Sequence, residues 1–195
     1  MKLIDITRTI QEAPLYPGSQ PFSLSPLTTI DATEEFNITI LHGDSHLGTH
    51  LDAPKHALAN GAAIEQTELS LYYGDCYVLS VPEQTLLSAQ FFQQHLPANC
   101  SRLLLKSNGT SYLSLEAAYY LAEKNLLLLG TDSLSPASSQ QEGIIHRLFL
   151  QQGTALLENL LLQHVPDGRY TLCAFPLKIQ HGDGSPVRAV LLSDY

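Results

Sequence analysis

Eleven residues, His46 to His56, read His-Leu-Gly-Thr-His-Leu-Asp-Ala-Pro-Lys-His. Three of the protein's eight histidines and an aspartate crowd into this H-x-G-T-H-x-D-x-P-x-H stretch. Neutral imidazole together with carboxylate is the ligand set that zinc, manganese and similar divalent ions select. A metal site requires these side chains to converge, and the spacing excludes the regular ways of doing so. An extended strand would place all four on one face, since their offsets are even. It would also hold His46 and His50 about 13 Å apart, too far for one ion with bonds of about 2 Å. A single helix aligns His46 with His50 but rotates Asp52 and His56 away, and Pro54 would break it. The stretch therefore predicts a bent loop. Gly48 supplies a tight or left-handed backbone angle and Pro54 fixes the exit. A lone histidine beside a turn ordinarily does no more than hydrogen-bond. Four ligand-type groups with glycine and proline between them favour a metal instead.

The rest of the composition bounds what such a site can serve. At 195 residues, with 44% hydrophobic and 15% charged side chains, the chain reads as one globular domain spanning residues 1–195. A net charge of −9 argues against a nucleic-acid partner, which needs clustered Lys and Arg. No apolar run approaches the ~18 residues of a membrane helix. Asp5 and Arg8 interrupt any signal-peptide core at the N-terminus. Cys76, Cys100 and Cys173 are odd in number and lack a C-x-x-C pair, so they read as buried reduced thiols in a cytoplasmic protein.

Strand and helix patterns alternate along the chain. Strands are expected over 2–7, 22–30, 36–41, 76–81, 103–106 and 126–129. Ser88 and Ser114 look like caps of two helices, the first bearing Phe91, Phe92 and His95, the second Leu115, Ala118, Tyr119 and Ala122. Residues 133–141, rich in Ser, Pro and Gln, predict an exposed connection. A helix over 144–151 and a short strand over 154–157 lead to Glu158. Residues 170–180 and 187–192 read as a hairpin around Asp183-Gly184. His42 and Asp44 either orient a ligand imidazole from behind or lie in a solvated loop. His95 and His164 read as surface residues. Asp132 either reaches the site or caps the next segment.

The histidine stretch resembles the signature of the cyclase family of metal-dependent hydrolases, which includes bacterial kynurenine formamidases. Further landmarks follow in the family's order: Leu15-Tyr16-Pro17-Gly18, His146-Arg147-Leu148, Leu157-Glu158-Asn159-Leu160, and Pro176 to Ile179 with Gly182 to Arg188. The resemblance implies an α/β fold, a swivelling β/β/α domain with a mixed sheet and flanking helices. It also implies a site for two divalent ions, zinc first and manganese second. His46 and His50 would bind one ion and His146 the other, with Asp52 and Glu158 bridging. Spacing alone would not have selected His146 or Glu158, which by themselves read better as helix-end groups. A metal pair about 3.5–4 Å apart activates water. His56 would then stand beside that water as general base and acid, a role its ordinary pKa suits.

The activity so implied is hydrolysis of a small aromatic amide, most specifically N-formyl-L-kynurenine to L-kynurenine and formate, with Tyr16 stacking on the substrate ring. Tyr16 stands where formamidases usually carry Trp, and Lys106-Ser107-Asn108-Gly109 differs from their usual Arg-Thr-Gly-Trp. Those departures keep open isatin-hydrolase-like opening of a cyclic amide or lactone. A metal-binding module without turnover is the third reading. The resemblance further implies a homodimer or homotetramer, with the N-terminal turn near a neighbour's site.

Overall fold

The computed structural model describes residues 1–193 of the chain. Its elements, in order, are β1 (Lys2–Asp5), β2 (Ser23–Thr28), β3 (Ile38–His42), β4 (His50–Asp52), α1 (Pro54–Ala57), β5 (Tyr73–Ser80), β6 (Leu86–Leu87) and α2 (Ala89–His95). There follow β7 (Arg102–Lys106), β8 (Tyr112–Leu113), α3 (Leu115–Ala122), β9 (Leu128–Thr131), α4 (Glu142–Gln151), β10 (Ala155–Glu158), β11 (Gly168–Cys173), β12 (Gly184–Pro186) and β13 (Val190–Ser193). Nine strands form one mixed sheet in the order β1-β13-β11-β5-β7-β9-β10-β4-β12.

The middle of the sheet is parallel, and its sequence says why. Strands β5, β7, β9 and β10 pair side by side, joined through α2, α3 and α4. Their runs Leu103-Leu104-Leu105, Leu128-Leu129 and Leu156-Leu157 are apolar on both faces, as strands covered on both sides must be. Alternate residues divide between two cores. Leu103, Leu105, Leu129 and Leu156 join Phe92, Leu121 and Phe149 of the helices. Leu104, Leu128 and Leu157 join Leu51, Leu172 and Leu191, a core to which α2, α3 and α4 contribute nothing. That second face is closed by the curl of the sheet itself, so the fold is the mixed sheet with flanking helices expected of the chain.

Ser88 and Ser114 cap α2 and α3, their hydroxyls accepting the backbone N–H groups of Phe91 and Ala117. Three sequence readings are corrected. The stretch from His46 is not a loop throughout: His50–Asp52 is a strand between β10 and β12, and Pro54 opens a short helix rather than ending the turn. Residues 133–141 are not an exposed connection, for Ser133, Ser135, Pro136 and Ala137 are buried. The Leu113 N–H donates to the Pro136 carbonyl, and the Ser133 hydroxyl to that of Ser111. Polar groups satisfied locally in this way can be buried. Finally, β11 and β13 do pair antiparallel, but Asp183-Gly184 is no hairpin turn between them. The chain first crosses to the far edge of the sheet, where β12 pairs with β4. Pro186 is tolerated there because an edge strand needs no donor on its outer side.

Among the described residues, no helix is long and apolar enough to cross a membrane. All three cysteines are free; Cys76 is buried, while Cys100 and Cys173 are only partly so.

Candidate metal centre

Strand register assembles the site. His50 and Asp52 are two residues apart on β4 and so share a face, while Leu51 between them points into the core. On one side β10 sets Glu158 opposite His50; on the other β12 sets Gly184 opposite Asp52. Glu158 ends β10 at the carboxyl edge of the parallel strands, where ligands gather in open α/β sheets. Asn159 then takes a left-handed φ of 59°, a conformation asparagine tolerates, and turns the chain away. The Thr49 hydroxyl donates to the Asn159 carbonyl at 2.8 Å, clamping the histidine stretch to this turn. Gly48 adopts the left-handed φ of 66° anticipated for it. From the helical layer, α4 delivers His146, buried on the same side as Ile145, Phe149 and Leu150.

The five groups converge. Asp52 Oδ1 lies 3.0 Å from His46 Nδ1 and 3.5 Å from His50 Nε2, while its Oδ2 lies 3.3 Å from His146 Nε2. Glu158 Oε2 lies 3.4 Å from His50 Nε2, and its Oε1 lies 3.1 Å from His146 Nε2. Each carboxylate thus turns one oxygen toward His50 and the other toward His146, the posture of a bridge. Both imidazoles are fixed from behind. His50 Nδ1 donates to the Gly48 carbonyl and His146 Nδ1 to the Glu142 carbonyl, each at 2.9 Å. Anchored so, each presents Nε2 to the centre, the usual support of a metal-binding histidine.

The residues fit a divalent cation on a further ground. Asp52 Oδ2 and His46 Nε2 are buried, and their neighbours, His146 Nε2 at 3.3 Å and Asp183 Oδ2 at 3.4 Å, do not meet them in hydrogen-bond geometry. Buried polar atoms are rarely left so. Three sets of side chains are close enough to share an ion: His46 with His50 and Asp52, Asp52 with His56 and His146, and His46 with His56 and Asp183. The charges respond to this crowding. Burial pushes the Asp52 carboxyl up, but the His146, His46 and His50 imidazoles set against it outweigh burial and hold the group well below the usual range. Burial works against the charged forms of His50 and His146 too. The carboxylates prevail and push them up to about 10 and about 11.

His56, carried by α1, stands at the rim. Its ring centroid is 4.1 Å from that of His46 and 5.8 Å from that of His146. Burial, with the His46 and His146 charges beside it, lowers its pKa. It therefore favours the neutral form that accepts a proton. A cavity of about 640 Å³ opens in front of His46, His50, His56, His146 and Glu158. Tyr16 lies on its wall, its hydroxyl donating to Glu142 Oε2 at 2.6 Å.

Asp183 is a neighbour that sequence reading took for a turn residue. Its Oδ2 is 3.4 Å from His46 Nε2, and its Oδ1 accepts the Ser45 hydroxyl at 2.6 Å. No local signal marks it; only the pairing of β12 with β4 brings it in. Gly184 beside it has a spatial role, since a Cβ there would meet the His46 ring at 2.8 Å. Other groups take their plainer readings. Asp44 accepts the backbone N–H of His46 rather than touching its ring, and His42 is exposed on β3. Asp132 accepts the Ser107 N–H and hydroxyl and so holds the turn after β7. His95 and His164 are exposed.

The profile of the family described as "Putative cyclase" matches residues 4–138. The chain belongs to the cyclase family. Curated relatives align with the rest of the chain as well. A kynurenine formamidase of Delftia acidovorans is 35% identical, with 97% of each chain aligned. One of Bacillus cytotoxicus is 33% identical over 96% of each. Among solved structures, a "potential metal-dependent hydrolase with cyclase activity" superposes with a TM-score of 0.84 at 26% identity, covering 97% of this chain and 96% of that chain. Isatin hydrolase A of Ralstonia solanacearum shares the fold, with a TM-score of 0.83 at 22% identity over 98% and 92% of the two chains.

Proposed function

We propose that this protein is a metal-dependent hydrolase of carbon–nitrogen bonds in small amides, and specifically an arylformamidase that converts N-formyl-L-kynurenine to L-kynurenine and formate. One observation carries the reading: a buried histidine–carboxylate cluster, with Asp52 Oδ2 and His46 Nε2 outside any hydrogen bond, opens past His56 onto a cavity large enough for an aryl amide. Relatives that are kynurenine formamidases support the specific substrate.

His46 and His50 would hold one divalent ion and His146 a second, with Asp52 and Glu158 shared; zinc is the first choice and manganese the next. Such ions supply Lewis acidity and lower the pKa of water toward neutrality. The protein's own groups do the rest. His56 takes a proton from water as its oxygen adds to the formyl carbon, then gives a proton to the aniline nitrogen as the C–N bond breaks. Formate and the free amine leave, and His56 returns to its neutral form. Tyr16, on the wall, lies where it can stack on the substrate ring, its hydroxyl tied to Glu142. Opening a cyclic amide such as isatin is the second reading, favoured by Tyr16 in place of tryptophan.

The N-terminal arm supports a homodimer. Both strands of the β2–β3 hairpin lie outside the main sheet, and Leu27, Phe36 and Leu41 on and beside it are 62%, 70% and 67% exposed. Apolar surface this open on a soluble chain marks a protein interface.

Protein reconstituted with zinc or manganese should release formate from N-formyl-L-kynurenine. Opening of isatin without formamidase activity would transfer the assignment to the second reading. No turnover with metal bound would leave a binding module. His56→Ala should keep its metal and lose ~10²–10⁴-fold in kcat. Loss of metal in that variant would make His56 a ligand instead.

A further inference from the structure

Helix α4 turns four residues to the cavity, Glu142, Gly143, His146 and Arg147, whose offsets place them on one face. Three have been accounted for or are mute: Glu142 ties down Tyr16 and its carbonyl holds His146, His146 enters the metal cluster, and Gly143 has no side chain. Arg147 is absorbed by none of this. It is exposed, and among the described residues it forms no ion pair. It is also the one Lys or Arg among the described residues of the cavity wall, where the charged groups besides histidine are Asp44, Glu142, Glu158 and Asp183.

Outside the histidine–carboxylate cluster that would hold the ions, the charged side chains of the wall are Asp44, Glu142 and Asp183, and the Arg147 guanidinium is the one fixed cation among them to meet an anionic end of a substrate. Glycine at position 143 makes the same point from the backbone. Glycine is a poor helix former, and Gly143 has no left-handed φ to justify it. A Cβ at that position would come within 3.3 Å of Arg147 Nη1. The bare position leaves room for the guanidinium to lie against the helix at the cavity.

We infer that Arg147 is a specificity-determining residue that binds a carboxylate on the substrate, so that the site selects aryl amides bearing an acid over neutral ones. The inference rests on the amide-hydrolase reading and deepens it. A guanidinium offers a planar fork of donors that matches a carboxylate with two parallel hydrogen bonds. The cavity of about 640 Å³ exceeds what a formanilide ring needs, leaving space for an amino-acid side arm that ends at α4.

The test compares N-formyl-L-kynurenine with 2′-formamidoacetophenone, which keeps the ring, ketone and formamide but lacks the amino-acid end. Arg147→Met preserves the apolar stem and removes the charge. It should lower kcat/KM for the acid substrate by about 10- to 100-fold, chiefly through KM, equivalent to ~1.4–2.8 kcal/mol at 1.4 kcal/mol per decade. The neutral substrate should change by no more than about twofold, and Arg147→Lys should recover part of the loss. Equal losses on both substrates would make Arg147 structural, and no loss on either would remove it from recognition; both overturn the inference. Equilibrium binding supplies the readout that does not need turnover. Wild-type protein should bind L-kynurenine at least tenfold tighter than kynuramine, its analogue without the carboxylate, and Arg147→Met should erase that difference. If neither formamide is turned over, the amidase reading falls by itself, while the binding comparison still decides the carboxylate claim. Equal binding of the two ligands by wild type overturns it.

Discussion

The cluster built on β4, β10 and α4 and the arm formed by β2 and β3 break the ordinary pattern of burial in opposite directions. In the cluster His50, Asp52, His146 and Glu158 are all buried, where ionisable groups are rare. On the arm every residue of β3 is exposed, although Ile38, Ile40 and Leu41 are apolar. A buried charge needs a counter-charge, and an exposed apolar strand needs a covering surface. On the reading proposed above, a cation would complete the first region and a second copy of the chain would cover the other. The two needs are physically separate, so they should fail separately.

The sharpest way to break that comparison is at Asp52. Asp52→Asn keeps the size of the side chain but removes the charge that faces all three cluster histidines. Metal content should fall to background and turnover by ~10³-fold or more, with the oligomeric state in light scattering unchanged. Retained metal would mean that the cluster is held together by protein contacts alone.

Gly184→Ala should act next most strongly. The new methyl meets the His46 ring and the Leu51 carbonyl, both at 2.8 Å from the ideal Cβ, so the ring must move. Loss of a ligand's support typically costs about 10- to 100-fold in metal affinity, measurable by competition with a chelating dye. Unchanged affinity would show that His46 is not held where a ligand must be.

pH sharpens the comparison further. In the metal-free cluster the Asp52 and Glu158 carboxylates push His50 and His146 up to about 10 and about 11, which favours their protonated forms at neutral pH. Groups raised in this way stabilise the metal-free fold fully below their unfolded value of about 6.5, and that stability is lost as pH rises through the folded values. A metal requires the neutral rings, so its binding must expel those protons. Zinc titrated calorimetrically into metal-free protein at pH 7.5, in buffers of differing ionisation enthalpy, should release protons. Affinity should rise by up to about tenfold per pH unit for each proton released. A pH-independent affinity would contradict the cluster's electrostatics. Dimerisation through the apolar arm should show no comparable dependence.

The smallest effect is expected at the arm. Phe36→Ser should weaken self-association by about tenfold, in line with exposing one large apolar side chain, while metal content stays at the wild-type level. A dilution series in light scattering reads this directly. Loss of metal along with the dimer would show that the two regions are coupled after all.

How far the sequence carried the reading follows the same division. The stretch from His46 to His56 was legible because its ligands are close in sequence and glycine and proline punctuate it. The capped helices were legible from Ser88 and Ser114. His146 and Glu158 were reached only through family resemblance. Their convergence is made by the antiparallel pairing of β10 with β4 and by the buried face of α4, neither of which local spacing encodes. Asp183 was missed because Gly-Asp-Gly is a sound local turn signal, and the pairing of β12 with β4 overrides it. Residues 133–141 misled for a related reason. Serine hydroxyls that bond to nearby backbone can be buried, so composition alone did not fix their exposure.

The account stands or falls on whether five side chains hold divalent cations. Diffraction from zinc-loaded crystals, recorded on both sides of the zinc absorption edge, measures this directly. The account predicts anomalous peaks within about 2.0–2.2 Å of ligand atoms of His46, His50, Asp52, His146 and Glu158, as two sites about 3.5–4 Å apart. Zinc found only on exposed histidines, with no anomalous signal at the buried cluster, would contradict it.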